Sequence, residues 1–330
     1  MENKKWVKPD SIELPIEKNP PIKTYLHHAF PLSVMYTNEN YKTFYHSNYL
    51  QLVYNQNSGC AYDFHEFQYR HLPYFYCDRL DDSMTKQIKR DINEFITMQI
   101  VNRYYCAAWV DAFYIPGEMY YNKQHITHGI LIYKYDDIKR EYTALAYTNQ
   151  NTTYNEIVVP YDSFTASYNS DFFSMLDFYK INFGLRPTFD EKSIRKKLEA
   201  YIHSENYDLD DVKANPQVAI TLYGRDVCIS LCDYFKERQK TLSTIDLRYV
   251  RILVEHKNSL IDTLSLLKTT ADIDKICFIN NSIKKLCENL LLWAIKYNMS
   301  LSPEAAKMVI VSTSKILDLE RELLLLYDIQ

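Results

Sequence analysis

A histidine, a polar triplet and an amide stand at spacings that suit acyl chemistry. His128 opens the apolar run HGILIYKY, where a polar loop gives way to a strand pattern. An imidazole in that position can serve as a general base near neutral pH. A base needs a nucleophile within reach, and the start of a helix favours an anionic one through its free N–H groups and partial positive charge. The stretch FYHSNYLQLVYN over 44–55 predicts a short helix, with Ser47 or Asn48 as its cap and Leu50, Val53 and Tyr54 on one face. Ser47 is the expected nucleophile. A third polar group must hold the other ring nitrogen. The apolar run that follows ends at Tyr147, Thr148 and Asn149, beside His128 in an antiparallel hairpin, so Asn149 is the expected orienting residue. Cys60, after the helix, and Cys106, inside a strand, lack the setting that activates a thiolate.

Other side chains carry weaker signals. Asp111 lies inside the apolar VDAFYIPG, and a carboxylate there must be paired or face a cleft. Asp111, Tyr114 and Tyr121 are the expected substrate contacts; internal hydrogen bonding and core packing are the alternatives. His125 and His128 are three residues apart with no third ligand cluster near them, so no metal is expected. Cys228 and Cys232, one helical turn apart, read as small apolar residues on a buried helix face. The adjacent His27 and His28 read as one buried and one solvated ring. Asp136, Asp137 and Glu141 are ordinary residues of a hairpin tip.

Three apolar, β-rich runs position the candidate base: Tyr104–Tyr114, His128–Tyr135 and Tyr142–Tyr147. Before them, residues 1–24 read as an extended arm, and Asp81–Tyr105 has helical spacing at Ile88, Ile92, Phe95, Ile96 and Ile100. After them, Asn155–Val159 predicts a strand, Tyr161–Phe178 a helix or broken helix, and Tyr179–Leu185 a last strand. From Asp190 the pattern changes to helices near 190–203, 218–239, 244–268, 272–297 and 303–327, with Ser302 and Pro303 marking the last start. The expected fold is α+β: an antiparallel-sheet domain over 1–189, then an all-α helical bundle over 190–330.

Composition narrows the function. At 330 residues, two domains are the expected number. The 30 tyrosines against 5 glycines, with no GxGxxG or GxxxxGK[ST], exclude the usual nucleotide-cradling loops, so no cofactor is expected. A net charge of −4 and a pI near 6.2 argue against a nucleic-acid partner, since base stacking also needs a basic groove. The start MENKKWVKPD has no apolar core of signal-peptide length, and no run reaches the ~18 apolar residues of a membrane span. No membrane partner and a cytoplasmic location, without disulfides, are expected.

Four motifs carry a family resemblance: HHAFPLSVM at 27–35, FYHSNYLQL at 44–52, VDAFYIPG at 110–117 and HGILIYKYDD at 128–137. The segment from Tyr25 to Phe164 resembles a family found beside thiotemplate (nonribosomal peptide and polyketide) assembly genes in Gram-positive bacteria. It is similar to the N-terminal domain of the butirosin-biosynthesis acyltransferase, itself papain-like. The resemblance implies a papain-like N-terminal domain and acyl transfer from a carrier-protein thioester to an amine, using a cysteine, a histidine and an acid. His128 matches the histidine, Ser47 or Asn48 falls where the cysteine belongs, and Thr148 or Asn149 where the acid belongs. The expected function is thus an accessory acyltransferase, or amide-forming protein, of peptide or polyketide antibiotic biosynthesis. Its expected partner is an acyl or peptidyl carrier protein or an assembly-line enzyme. The alternatives are a non-catalytic module that docks the assembly line and an editing thioester hydrolase.

Overall fold

The computed structural model describes residues 8–56, 58–65, 69–85, 87, 91–148, 153–206 and 220–329. The chain begins with β1 (Ser11–Glu13), α1 (Leu26–Met35), α2 (Lys42–Asn48), β2 (Leu52–Asn55), β3 (Tyr62–Phe64) and β4 (Phe75–Leu80). Next come α3 (Asp82–Thr85), α4 (Ile92–Val101), β5 (Tyr105–Asp111), β6 (Thr127–Asp136), β7 (Glu141–Tyr147) and β8 (Tyr154–Pro160). Then follow α5 (Tyr161–Tyr168), β9 (Met175–Ile181), α6 (Glu191–Ile202) and β10 (Ile220–Tyr223). The chain ends in α7 (Gly224–Lys240), α8 (Leu247–Leu264), α9 (Ile273–Ser300) and α10 (Pro303–Leu325). Helices and antiparallel sheets are mixed, so the α+β class holds.

Two compact units result, one of Met1–Lys42 with Gln68–Pro187, the other of Thr43–Phe67 with Thr188–Gln330. The division at 189/190 expected from composition is thereby corrected. The second unit begins at Thr188 and also takes in a segment from the first third of the chain. Backbone groups of that segment are claimed by the later helices: Ser259 Oγ donates to Tyr49 O at 2.7 Å, and His256 Nε2 lies 3.0 Å from Leu50 O. The unit is not all-α either, because β2 pairs with β3 and β10 in a three-stranded antiparallel sheet.

The first unit is built on one antiparallel sheet in the order β4-β9-β5-β6-β7-β8. β6 is its longest strand: β5 pairs along its first half, from Asp111↔Thr127 to Cys106↔Ile132, and β1 along its end. Helices cover both faces, which is why β5 and β6 read as continuous apolar runs. On one face α1 lies so close to the sheet that a Cβ on Gly129 would sit 2.9 Å from Phe30 Cε2 and 3.2 Å from Leu26 Cδ1. On the other face, Tyr142 donates to Asn93 Oδ1 of α4 (3.0 Å) and packs edge-on against Phe164 of α5.

Several predicted bounds shift for local reasons. The helix expected over 44–55 stops at Asn48, whose amide turns back to Phe44 O, and Leu52–Asn55 becomes a strand because Tyr62–Phe64 pairs with it. The long helix expected over 81–105 is two pieces, the second capped by Asp91, whose carboxylate accepts from Asn93 N. β9 starts at Met175 and α5 ends at Tyr168, so the broken helix expected up to Phe178 yields its last residues to the sheet.

In the second unit aspartates start the helices: Asp190, Asp246 and Asp272 each accept from an N–H of the first turn, and Ser302 does the same ahead of Pro303. At its centre Lys257 of α8 meets Glu320 of α10 at 2.5 Å with both side chains out of water. The Lys257 ammonium also donates to Tyr201 Oη of α6 (2.9 Å) and to Cys228 Sγ of α7 (3.4 Å). Burial alone depresses the ammonium, but Cys228 and Glu320 outweigh it and hold Lys257 above its ordinary range. Burial pushes the Cys228 thiol up, and burial with the adjacent Lys257 charge holds His256 far below the imidazole range. Among the described residues no helix is long and apolar enough to cross a membrane. Removing one partner of a buried pair strands the other charge. Lys257→Met alone is therefore expected to lower unfolding free energy by about 3–5 kcal/mol, and Lys257→Met with Glu320→Leu to recover most of it, as read by urea denaturation.

Candidate functional site

The end of the sheet where β5 stops and β6 starts holds two histidine–carboxylate pairs. Asp111 closes β5 and turns the chain: its Oδ1 accepts from Phe113 N (3.1 Å), capping a single 3-10 turn over Ala112–Tyr114. The following loop passes Gly117, whose φ of +83° suits a residue without a side chain, and presents Glu118. Glu118 is fully buried; its backbone bridges to Thr148 beyond β7, and its Oε2 accepts from Tyr120 N at 2.6 Å. The chain then re-enters the sheet at Thr127, with His128 paired to Val110.

His128 Nδ1 lies 2.5 Å from Glu118 Oε1, in close contact but off the line of a hydrogen bond. The imidazole is one-fifth exposed while the carboxylate is sealed from water. Tyr120 meets the ring edge-on at 5.5 Å, and the Tyr147 ring lies 6.3 Å away. The hydroxyl of Tyr147 donates to Lys23 O and to Thr24 O, just before the start of α1, whose N-cap Tyr25 makes no side-chain cap bond. Nε2 of His128 has no hydrogen-bond partner among the described residues. A carboxylate 2.5 Å from Nδ1 favours by its charge a proton on that nitrogen, which leaves the lone pair on Nε2, so the pair is equipped to take a proton from an incoming nucleophile.

The second pair is His125 Nδ1 with Asp111 Oδ2 at 2.8 Å. The His125 ring is stacked between Phe113 (4.0 Å) and Phe172 (5.6 Å). Asp111 is thus committed on both oxygens and enclosed, and its carbonyl accepts from Ser167 Oγ (2.6 Å). These bonds hold the loop and match the internal hydrogen bonding read as the alternative for Asp111. Tyr114 packs against Phe113 and His125, and Tyr121 follows the Glu118 loop, its N–H bonded to Glu118 O.

Ser47 does not fit the role expected of it. It belongs to the second unit and lies in the last turn of α2, at the negative end of the helix dipole. Its carbonyl accepts from Lys197 Nζ (2.8 Å), and its Oγ is buried without a partner. Asn149 lies outside the described residues. Thr148, the other residue read for that position, faces the Glu118 backbone and bonds Thr153. Burial pushes the Cys106 thiol well up, away from thiolate chemistry. Glu118 itself was missed. Its trace in the sequence is slight: one acid directly after Pro116 and Gly117 in a polar loop.

No protein-family model and no curated protein sequence matches this chain. If Glu118 fixes the ring, nitrogen-resolved NMR of the wild type shows His128 protonated on Nδ1. Glu118→Gln is expected to turn that signal into a tautomer mixture; an unchanged spectrum would remove Glu118 as the orienting group.

Proposed function

We propose that the first unit is a papain-like frame that works by general-base catalysis on acyl thioesters carried by an acyl or peptidyl carrier protein. The product is an amide of peptide or polyketide antibiotic assembly. The observation that carries this reading is the His128–Glu118 pair with Nε2 open. In the step, His128 Nε2 takes a proton from the attacking amine, the amine nitrogen bonds to the thioester carbon, and the C–S bond breaks. The proton then passes from the imidazolium to the departing thiolate. Glu118 stabilises the imidazolium that forms between the two transfers.

No serine, threonine or cysteine side chain is bonded to Nε2 among the described residues, so this reading uses no acyl-enzyme. That departs from the covalent route the resemblance implies and leaves Ser47 outside the chemistry. With water in place of the amine the same site is an editing hydrolase, and the identity of the released product separates the two. A docking role for the helices of the second unit has its own support. On α9, Phe278, Leu292 and Met299 expose 64–84% of their surface, an apolar row of the kind that marks a protein partner.

The test is turnover of hexanoyl-pantetheine, free and on carrier protein, with butylamine. His128→Ala is expected to slow amide formation about 10²–10⁴-fold. Ser47→Ala should leave it unchanged, and intact-mass spectra should show no acylated protein. A His128→Ala protein as fast as wild type, or a wild type that leaves the thioester intact, would sink the reading. Leu292→Glu with Met299→Glu should slow only the carrier-bound substrate.

A further inference from the structure

The second unit has a cavity of about 400 Å³ where the end of α6, the start of α7 and the end of α10 meet. Its polar lining includes Arg225, Arg321 and His203, and its apolar lining Ile202, Leu324 and Ile329. We propose that this cavity binds a small amphiphilic anion: one oxyanion headgroup, phosphate or carboxylate, on a short apolar chain. The site is separate from the His128 chemistry and stands or falls without it.

The two arginines differ from their neighbours in the same chain. Arg195 is held by Glu191 and Arg248 by Asp246, whereas neither Arg225 nor Arg321 has a carboxylate partner among the described residues. Arg225 Nε is buried with no hydrogen-bond partner. A buried donor left unmet costs about 1–3 kcal/mol, so a fold that retains one beside an open cavity is poised to gain from an acceptor placed there. Guanidinium groups meet carboxylate and phosphate oxygens in pairs of parallel hydrogen bonds, which fixes the headgroup class.

The backbone that carries Arg225 is held rigidly. Gly224 begins α7 at φ +54°, and a Cβ there would lie 2.3 Å from Tyr201 O, so α7 starts pressed against α6. The N–H of Asp226 is tied to Ser204 Oγ at 3.0 Å. Arg225 therefore presents its donors from a fixed frame, and the first turn of α7 adds a partial positive charge. The buried Ile329 and Leu324 supply the apolar contact that an anion without a chain would leave unfilled. A volume of this size falls within the range of small-molecule sites.

Calorimetric titration of the full chain with hexyl phosphate, hexanoate, inorganic phosphate and hexanol tests the proposal. Hexyl phosphate or hexanoate should bind, at least tenfold more tightly than inorganic phosphate or hexanol, and the tighter of the two identifies the headgroup. Arg321→Gln alters an exposed side chain and should weaken that binding at least tenfold with an unchanged circular dichroism spectrum. Arg225→Gln should do the same or more. Hexanol binding as well as the charged probes, Arg321→Gln without effect, or no binding of any probe at millimolar concentration would each overturn it.

Discussion

A charge removed from water must be matched, and both units of this protein are arranged around that requirement. The penalty for an isolated buried ion is several kcal/mol, so each buried carboxylate or ammonium dictates what stands beside it. In the second unit the Lys257–Glu320 contact draws in Tyr201 and Cys228, and so fixes α6, α7, α8 and α10 against one another. In the first, Asp111 and Glu118 are each sealed from solvent, and each has a histidine as its counterpart. One pair shapes the loop and the other leaves a nitrogen facing outward. The same electrostatic rule thus gives a rigid core in one place and an imidazole with an unbonded nitrogen in another.

How much of this was legible in the sequence follows from what each element depends on. The strands around His128 were readable because alternation and turn residues are local, and β5 to β8 fell where the pattern put them. The start of the last helix was readable because Ser302 and Pro303 are local signals, whereas α7, which has no side-chain cap, starts at Gly224 and not near 218. The stretch after Asn48 was not readable. Leu50, Val53 and Tyr54 fit a helical face and a strand about equally, and only pairing with Tyr62–Phe64 decides between them. Period alone does not separate such short apolar runs.

The site was half legible for the same reason. His128 announces itself by opening a strand, since the register of β5 with β6 sets where it lies. Among the described residues its partner comes from the loop before it. That loop is shaped by a 3-10 turn, a glycine with positive φ and a single bridge to Thr148, none of which has a periodicity to detect. Ser47 shows the opposite error: the residue type was suitable, but helix polarity depends on where the helix ends, and α2 ends one residue later.

The passage of Thr43–Phe67 into the second unit has a consequence for the order of synthesis. A ribosome delivers this segment well before α8, which binds its carbonyls, and β10, which pairs with it. At the usual 5–20 residues per second the interval is on the order of tens of seconds. During it, this segment, with its buried Tyr49, Leu50, Leu52 and Phe64, lacks the α8 and β10 neighbours that later pack against it. The nascent chain therefore carries an unsheltered apolar segment between two parts of a unit that is itself assembling.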